Sequence, residues 1–260
     1  MKKKDNKIST VVLLAGGKGT RFLEETTITP KPMINIGHTP IIQRIMQHYS
    51  NYGIRNFIIC GGYKINVIKD YFLNFLNYSN DISLNYSNNS IQFLSSKYVD
   101  WKVNIIDTGN DSMTGGRLKR IRRFVKEENF CFTYGDGISN VDLNKLISFH
   151  FKQNKIATMT TVQPPGRYGA VSINKKLVSN FSEKPKGDNT YINGGFFVLN
   201  SKIFDFIKND KSIFENDVLP ILAKKKQLTA YKHDGFWHAM DSLRDKLYLE
   251  ELFKKNQLNF

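Results

Sequence analysis

Cysteine is nearly absent from the 260 residues, and the two present, Cys60 and Cys131, sit inside apolar runs with no Cys-x-x-Cys spacing. That excludes a disulfide framework and a cysteine zinc site, and it reads as two buried free thiols in a reducing compartment. Acid is scarce as well: 23 Asp and Glu face 38 Lys and Arg, for a formal charge of +15. Such an excess favours polyanions such as nucleic acid or acidic lipid, and it also suits phosphorylated small molecules. The chain has no basic stripe and no nucleic-acid module, and its densest cluster, Arg117, Lys119, Arg120, Arg122 and Arg123, is spread around a predicted helix. Most of the surplus is therefore read as surface lysine, with a few cations left for an anion site. No apolar run reaches the length of a membrane span, about eighteen residues, and the N-terminus is polar and basic with no apolar segment behind it. The expectation is a cytoplasmic protein with neither a membrane nor a nucleic-acid partner. Without a secretion signal, the Asn-x-Ser triplets at Asn77, Asn85 and Asn88 carry no weight.

A chain of this length with 40% hydrophobic residues can build one sizeable core, so residues 1–260 are read as a single domain. Apolar strand-like runs at 11–14, 57–60, 103–106, 130–133 and 157–162 alternate with helical patterns. That alternation predicts an α/β fold: a doubly wound, mainly parallel, Rossmann-like sheet with helices on both faces. Thr39 is read as the cap of one helix with Pro40 at its first position and Gly53 just past its end. A second helix carries Val67, Ile68, Tyr71, Phe72, Phe75 and Leu76 on one face. Residues 77–102, rich in Asn and Ser, break the rhythm and are read as an inserted hairpin. Short strands at 169–173, 178–183 and 194–199 predict a small antiparallel subdomain over about 164–200. The last helix is placed at 242–254, with Asp241 at its cap.

The chemistry begins where the first strand runs into Gly16-Gly17-Lys18-Gly19-Thr20-Arg21. Three glycines in four positions let the backbone come close to a bound group and turn its N–H groups toward phosphate oxygens. Lys18 and Arg21 add charge there, and Lys31 follows between two rigid prolines, Pro30 and Pro32. A nucleoside triphosphate suits such a loop. The string fits neither a Walker loop, because Lys18 precedes Gly19, nor a dinucleotide fingerprint, because Phe22 stands where a third glycine belongs.

Asp136, between Gly135 and Gly137, follows a buried strand, the end of an open α/β sheet at which ligands bind. A hard cation such as Mg²⁺ takes one or two carboxylates plus phosphate oxygens. Asp241 is the candidate second carboxylate, with a helix N-cap as its plainer reading. The loop from Asp107 to Arg117 can hold a base or sugar, or cap a helix through Thr114. Lys184 can hold a second phosphate. Arg167-Tyr168-Gly169 and Asn193-Gly194-Gly195 offer the aromatic, amide and bare backbone of a sugar site, while His48 and His150 fall on helices and read as structural or surface residues.

Leu14-Ala15-Gly16-Gly17-Lys18-Gly19-Thr20-Arg21, Pro30-Lys31-Pro32-Met33, Tyr134-Gly135-Asp136-Gly137 and Glu183-Lys184-Pro185 together resemble the sugar-1-phosphate nucleotidylyltransferases, over nearly the whole chain. The strings 113–120, 164–170, 192–197 and 240–246 narrow the likeness to those that make CDP-glucose. The resemblance implies the reaction of CTP with α-D-glucose 1-phosphate to give CDP-glucose and pyrophosphate, an early step toward dideoxy sugars of bacterial surface polysaccharide. It also implies Mg²⁺ and a homo-oligomer, up to a hexamer. By position, Leu14 to Thr20 would hold base and triphosphate, Arg21 and Lys31 would neutralise phosphates, and Ser112 and Arg117 would contact the nucleotide. Asp136 and Asp241 would share the metal, Lys184 would hold the sugar phosphate, and Tyr168, Gly169, Glu183 and Asn193 would line the glucose pocket. Uridylyl and thymidylyl transfer to a hexose 1-phosphate are the neighbouring alternatives, since base choice rests on a few contacts. In two places the chain departs from the pattern: Lys18 stands where an apolar residue is common, and His238-Ala239 where Gln-Pro is usual.

Overall fold

The computed structural model describes residues 7–19, 26, 29–95, 99–164, 166, 169–183, 186 and 190–258. The first strand, β1 (Thr10–Ala15), is buried throughout. Val11, Leu13 and Ala15 enter one core and Val12 and Leu14 the other, which is why the run reads as continuously apolar rather than alternating. Two short strands, β2 (Asn35–Ile36) and β3 (Thr39–Pro40), pair ahead of α1 (Ile41–Asn51). Here the helix start expected at Pro40 is corrected. Pro40 pairs with Asn35 in extended geometry (φ −57°, ψ 144°), and Ile41 N–H donates to Ile34 O at 3.0 Å, so the helix begins at Ile41 with no side-chain cap from Thr39. Gly53 follows the helix at φ +80°, as expected.

Beyond β4 (Asn56–Gly61), the single expected helix divides into α2 (Ile65–Leu73) and α3 (Phe75–Ser79). The break falls at Asn74, whose side chain donates back to Asp70 O at 2.9 Å, the local competition with helix bonding typical of Asn. The hairpin of β5 (Ile82–Asn85) and β6 (Ser90–Phe93) lies within the expected insertion. Then come β7 (Lys102–Asp107), α4 (Thr114–Arg120), β8 (Asn129–Tyr134), β9 (Gly137–Ser139), α5 (Leu143–Gln153) and β10 (Ala157–Val162). A second hairpin, β11 (Ala170–Asn174) with β12 (Leu177–Ser182), precedes β13 (Ile192–Asn200), α6 (Leu219–Lys224), β14 (Leu228–His233), β15 (Trp237–Ala239) and α7 (Leu243–Lys254).

Seven strands form one sheet in the order β14-β10-β13-β8-β1-β4-β7. All its pairings are parallel except the two made by β13, which runs antiparallel between β10 and β8. Of the three strands expected in the antiparallel subdomain, only β11 and β12 stand apart from this sheet, and the one expected at 194–199 belongs to it as β13. Its Phe196, Phe197, Val198 and Leu199 are fully buried, so it is too apolar to lie on a surface hairpin. One core packs α1, α5 and α7 on one face of the sheet, and the other packs α4, α6 and the turn 201–206 on the opposite face. The chain leaves β1 toward β4 on one side, while β8 lies on the other. Strand order thus reverses at β1, and a crevice opens between the carboxyl ends of β1 and β8.

Both cysteines are buried and free, and burial pushes the Cys60 thiol up to about 12. His48 and His150 are buried scaffold residues. His48 Nε2 lies 3.0 Å from Val141 O, and His150 bridges Thr158 Oγ1 at 2.8 Å and Asn129 Oδ1 at 3.2 Å. Burial lowers both imidazoles to about 4.

Candidate active site

The glycine loop leaves β1 and lies against a buried arginine. A Cβ on Gly16 would run into the Arg117 guanidinium, so a larger residue there would have to displace that side chain. Gly19 is required by conformation, at φ +63°. Arg117, on α4, donates to Gly61 O, Thr108 Oγ1, Gly109 O and Asn110 O at 2.6–3.2 Å. It thereby ties the 107–111 loop to the floor of the crevice, and burial pulls its pKa down from the ordinary guanidinium value. Lys18 points outward, 3.8 Å from Asp111.

Asp136 and Asp241 are brought together by backbone pairing. Ala239 of β15 is in register with Gly137 of β9, and Met240 N–H donates to Asp136 O at 2.9 Å. The sequence made Asp241 the helix cap, but the cap is Ser242, whose Oγ accepts from Asp245 N at 3.3 Å. Asp245 returns the bond, accepting from Asp241 N and Ser242 Oγ at 3.0 and 2.7 Å. Asp241 is thus fixed through its backbone, and its carboxylate is left for other work. Lys31 supplies that work, its Nζ lying 2.7 Å from Asp136 Oδ2 and 2.6 Å from Asp241 Oδ1. The side chain rises from the 3-10 turn Lys31–Met33, entered through Pro30, and the residue is 9% exposed. Burial acts to lower its pKa, but the two carboxylates outweigh it and hold the ammonium above its ordinary value.

These groups open on a cavity of about 610 Å³. Of the residues singled out in the sequence, Leu14, Ala15, Gly16, Gly17, Gly19, Lys31, Ser112, Arg117, Asp136, Asn193 and Asp241 line it. Lys18 does not. Gly169 and Glu183 sit together on the β11–β12 hairpin, where a Cβ on Gly169 would be 3.1 Å from Glu183 Oε2, and are not on the cavity wall. Thr20, Arg21, Tyr168 and Lys184 lie outside the described residues. Thr114 does not cap α4. Its hydroxyl donates to Glu215 Oε2 at 2.6 Å and accepts from Phe214 N at 2.8 Å.

Sequence reasoning missed Tyr134 and Trp237, which also line the cavity. Trp237 Nε1 donates to Gly194 O at 2.7 Å and so joins β15 to β13. Tyr134 stood inside a quoted string without a role, and Glu215 had no local signal at all. Two carboxylates converging on one ammonium form an oxygen donor set that suits a divalent cation, with Lys31 marking where positive charge is wanted.

An open, mainly parallel sheet whose switch-point crevice pairs a glycine loop with convergent acids is suited to handling a nucleotide. The chain belongs to the nucleotidyl transferase family, whose pattern matches residues 10–245. It is 49% identical over 247 residues to the glucose-1-phosphate cytidylyltransferase of Salmonella typhimurium, covering 95% of this chain and 96% of that one. It is 31% identical over 207 residues to the D-glycero-alpha-D-manno-heptose 1-phosphate guanylyltransferase of Campylobacter jejuni, covering 78% and 82%. Among solved structures, HddC from Yersinia pseudotuberculosis matches with a TM-score of 0.68 at 26% identity, over 95% of this chain and 100% of that one.

Proposed function

We propose that the protein transfers a cytidylyl group from CTP to α-D-glucose 1-phosphate, giving CDP-glucose and pyrophosphate. The observation that carries the reading is the clamp of Lys31 between Asp136 and Asp241, at the switch point and beside the glycine loop. The near-full-length likeness to a glucose-1-phosphate cytidylyltransferase supports the choice of base and sugar.

In this reaction a phosphate oxygen of the sugar phosphate attacks the α-phosphorus of the triphosphate in line. The bond from that phosphorus to the bridging oxygen breaks, and pyrophosphate departs with the electron pair. Two polyanions must meet, so the chain's task is positioning and charge neutralisation. The 16–19 backbone receives the triphosphate, with Ser112 and Arg117 shaping the nucleotide side. Lys31 neutralises the transferring and departing phosphates together with Arg21. Lys184 holds the sugar phosphate, and Asn193 and Tyr168 take the sugar, while Gly169 and Glu183, off the cavity wall, are given no contact with it. Fixing both reactants supplies roughly 7–11 kcal/mol through effective molarity. Asp136 and Asp241 would hold Mg²⁺, which when bound neutralises phosphate charge. No covalent nucleophile is needed.

The same reading places the protein in the cytoplasm among phosphorylated metabolites. No helix among the described residues is long and apolar enough to cross a membrane. A homo-oligomer is part of it. Ile82 and Leu84 pair with Phe93 and Ile91 on one face of the β5–β6 hairpin, all four exposed, and Val171, Ile173, Val178 and Phe181 are exposed on the other hairpin. Two-stranded hairpins with bare apolar faces are marginal alone, which favours cover by a second copy.

The decisive assay supplies Mg²⁺, glucose 1-phosphate and each of CTP, UTP, dTTP and ATP in turn, and measures pyrophosphate release. Release with CTP alone is expected. Release with another triphosphate moves the base assignment, and release with none overturns the reading.

A further inference from the structure

The two sides of the cavity are joined by a carboxylate that does not line it. Glu215 lies on the π-helical turn Phe214–Val218, a form of helix common at functional positions. Its Oε1 accepts from the Tyr134 hydroxyl at 2.5 Å and its Oε2 from the Thr114 hydroxyl at 2.6 Å. Thr114 opens α4 on the nucleotide side. Tyr134 ends β8, two residues before Asp136. The Tyr134 oxygen accepts from Asn193 Nδ2 at 3.2 Å, and Asn193 Oδ1 accepts from Gly195 N at 2.8 Å. Thr114, Tyr134 and Asn193 all face the cavity.

An ionised carboxylate can only accept hydrogen bonds. Glu215 therefore obliges both hydroxyls to aim their protons at it, and the short distances are those of charge-assisted bonds. The Tyr134 oxygen is left as an acceptor, which turns the Asn193 amide nitrogen toward it and the amide oxygen onto the Gly195 N–H. Each direction in the chain follows from the one before. Burial and the Glu215 carboxylate both push the Tyr134 phenol up, so it remains a proton donor. The second Nδ2–H of Asn193 is then held ready as a donor. A glutamine at 215 would break the logic, because an amide both donates and accepts and lets the Tyr134 and Asn193 directions reverse.

We propose that Glu215 is a positioning residue which, acting through Tyr134, fixes Asn193 as a hydrogen-bond donor to the hexose 1-phosphate. The inference rests on the reading that Asn193 faces the sugar. It is tested by calorimetric titration of the full chain, in the presence of Mg²⁺, with glucose 1-phosphate and separately with CTP. Glu215→Gln and Tyr134→Phe should each weaken glucose 1-phosphate about tenfold, leave CTP within about twofold, since the amide of Glu215→Gln keeps one oxygen to accept from the Thr114 hydroxyl on the nucleotide side, and keep the unfolding midpoint within a few degrees. The double variant should bind no more weakly than Tyr134→Phe alone, since one residue acts through the other. Unchanged sugar-phosphate affinity, loss of both ligands together, or additive effects in the double variant would overturn the role. A selective loss in a protein that makes no CDP-glucose would leave it standing and overturn the proposed activity instead.

Discussion

Strand β1 has acids at both ends, held in opposite ways. At its start, Glu127 accepts from Ser9 N and Thr10 N at 3.1 and 3.3 Å, from Thr10 Oγ1 at 3.0 Å and from the Ser9 hydroxyl. Beyond its end, Asp136 and Asp241 meet the Lys31 ammonium. Backbone amides cannot withdraw, so the first carboxylate is a permanent staple between the 127 turn and β1. An ammonium on a four-carbon stem can move, so the second pair keeps exchangeable counter-charge. The same chemical group, a carboxylate, is a staple at one end and the proposed metal site at the other, and the difference lies in the mobility of its donors.

Substituting the acid at the carboxyl end breaks the comparison most sharply. Asp136→Asn should lower turnover at least about a hundredfold, since a metal contributes several kcal/mol to such transfers. Its urea midpoint should stay close to wild type, because the Asp241–Lys31 contact remains. A folded variant with normal turnover, measured as pyrophosphate release, would sink the metal assignment. The next effect belongs to the scaffold. His48 and His150 titrate near 4 when folded, below the ordinary 6.5, so the unfolded chain binds more protons between those values. Stability should therefore fall as pH drops from about 6.5 to 4 and level off below, by up to roughly 3 kcal/mol for each residue. His150→Gln should flatten that slope in urea titrations across pH. Glu127→Gln is the counterpart of the first variant. It should cost about 1–2 kcal/mol of stability while kcat stays within about twofold.

Much of this was legible in the sequence where local pattern and local physics coincide. The run at 157–162 is a strand at those residues, and the glycine loop, Lys31, Asp136 and Asn193 all reach one cavity. What escaped depends on partners far along the chain. Nothing near 194–199 announces that β13 enters the main sheet reversed, since that is decided by β8 and β10 on either side. The capping role given to Asp241 belongs to Ser242 because Asp245, one turn on, completes a reciprocal cap with the serine. Glu215 could not be found by motif, for its partners Tyr134 and Thr114 are 81 and 101 residues away.

The finest contrast concerns Lys31 itself. If its ammonium is exchangeable counter-charge, it competes with a divalent cation for Asp136 and Asp241, and the nucleotide-free protein should hold such a cation weakly. Lys31→Met keeps the length of the stem and removes the charge, leaving two carboxylates that face each other without compensation. Mn²⁺ titration followed by electron paramagnetic resonance, without nucleotide, should then show binding about tenfold tighter than wild type. Glu127 offers the control, because Glu127→Gln should leave Mn²⁺ affinity unchanged. Equal affinity in wild type and Lys31→Met would mean that the ammonium is as permanent as the amides around Glu127, and the distinction between the two ends of β1 would fail at the site where it matters most.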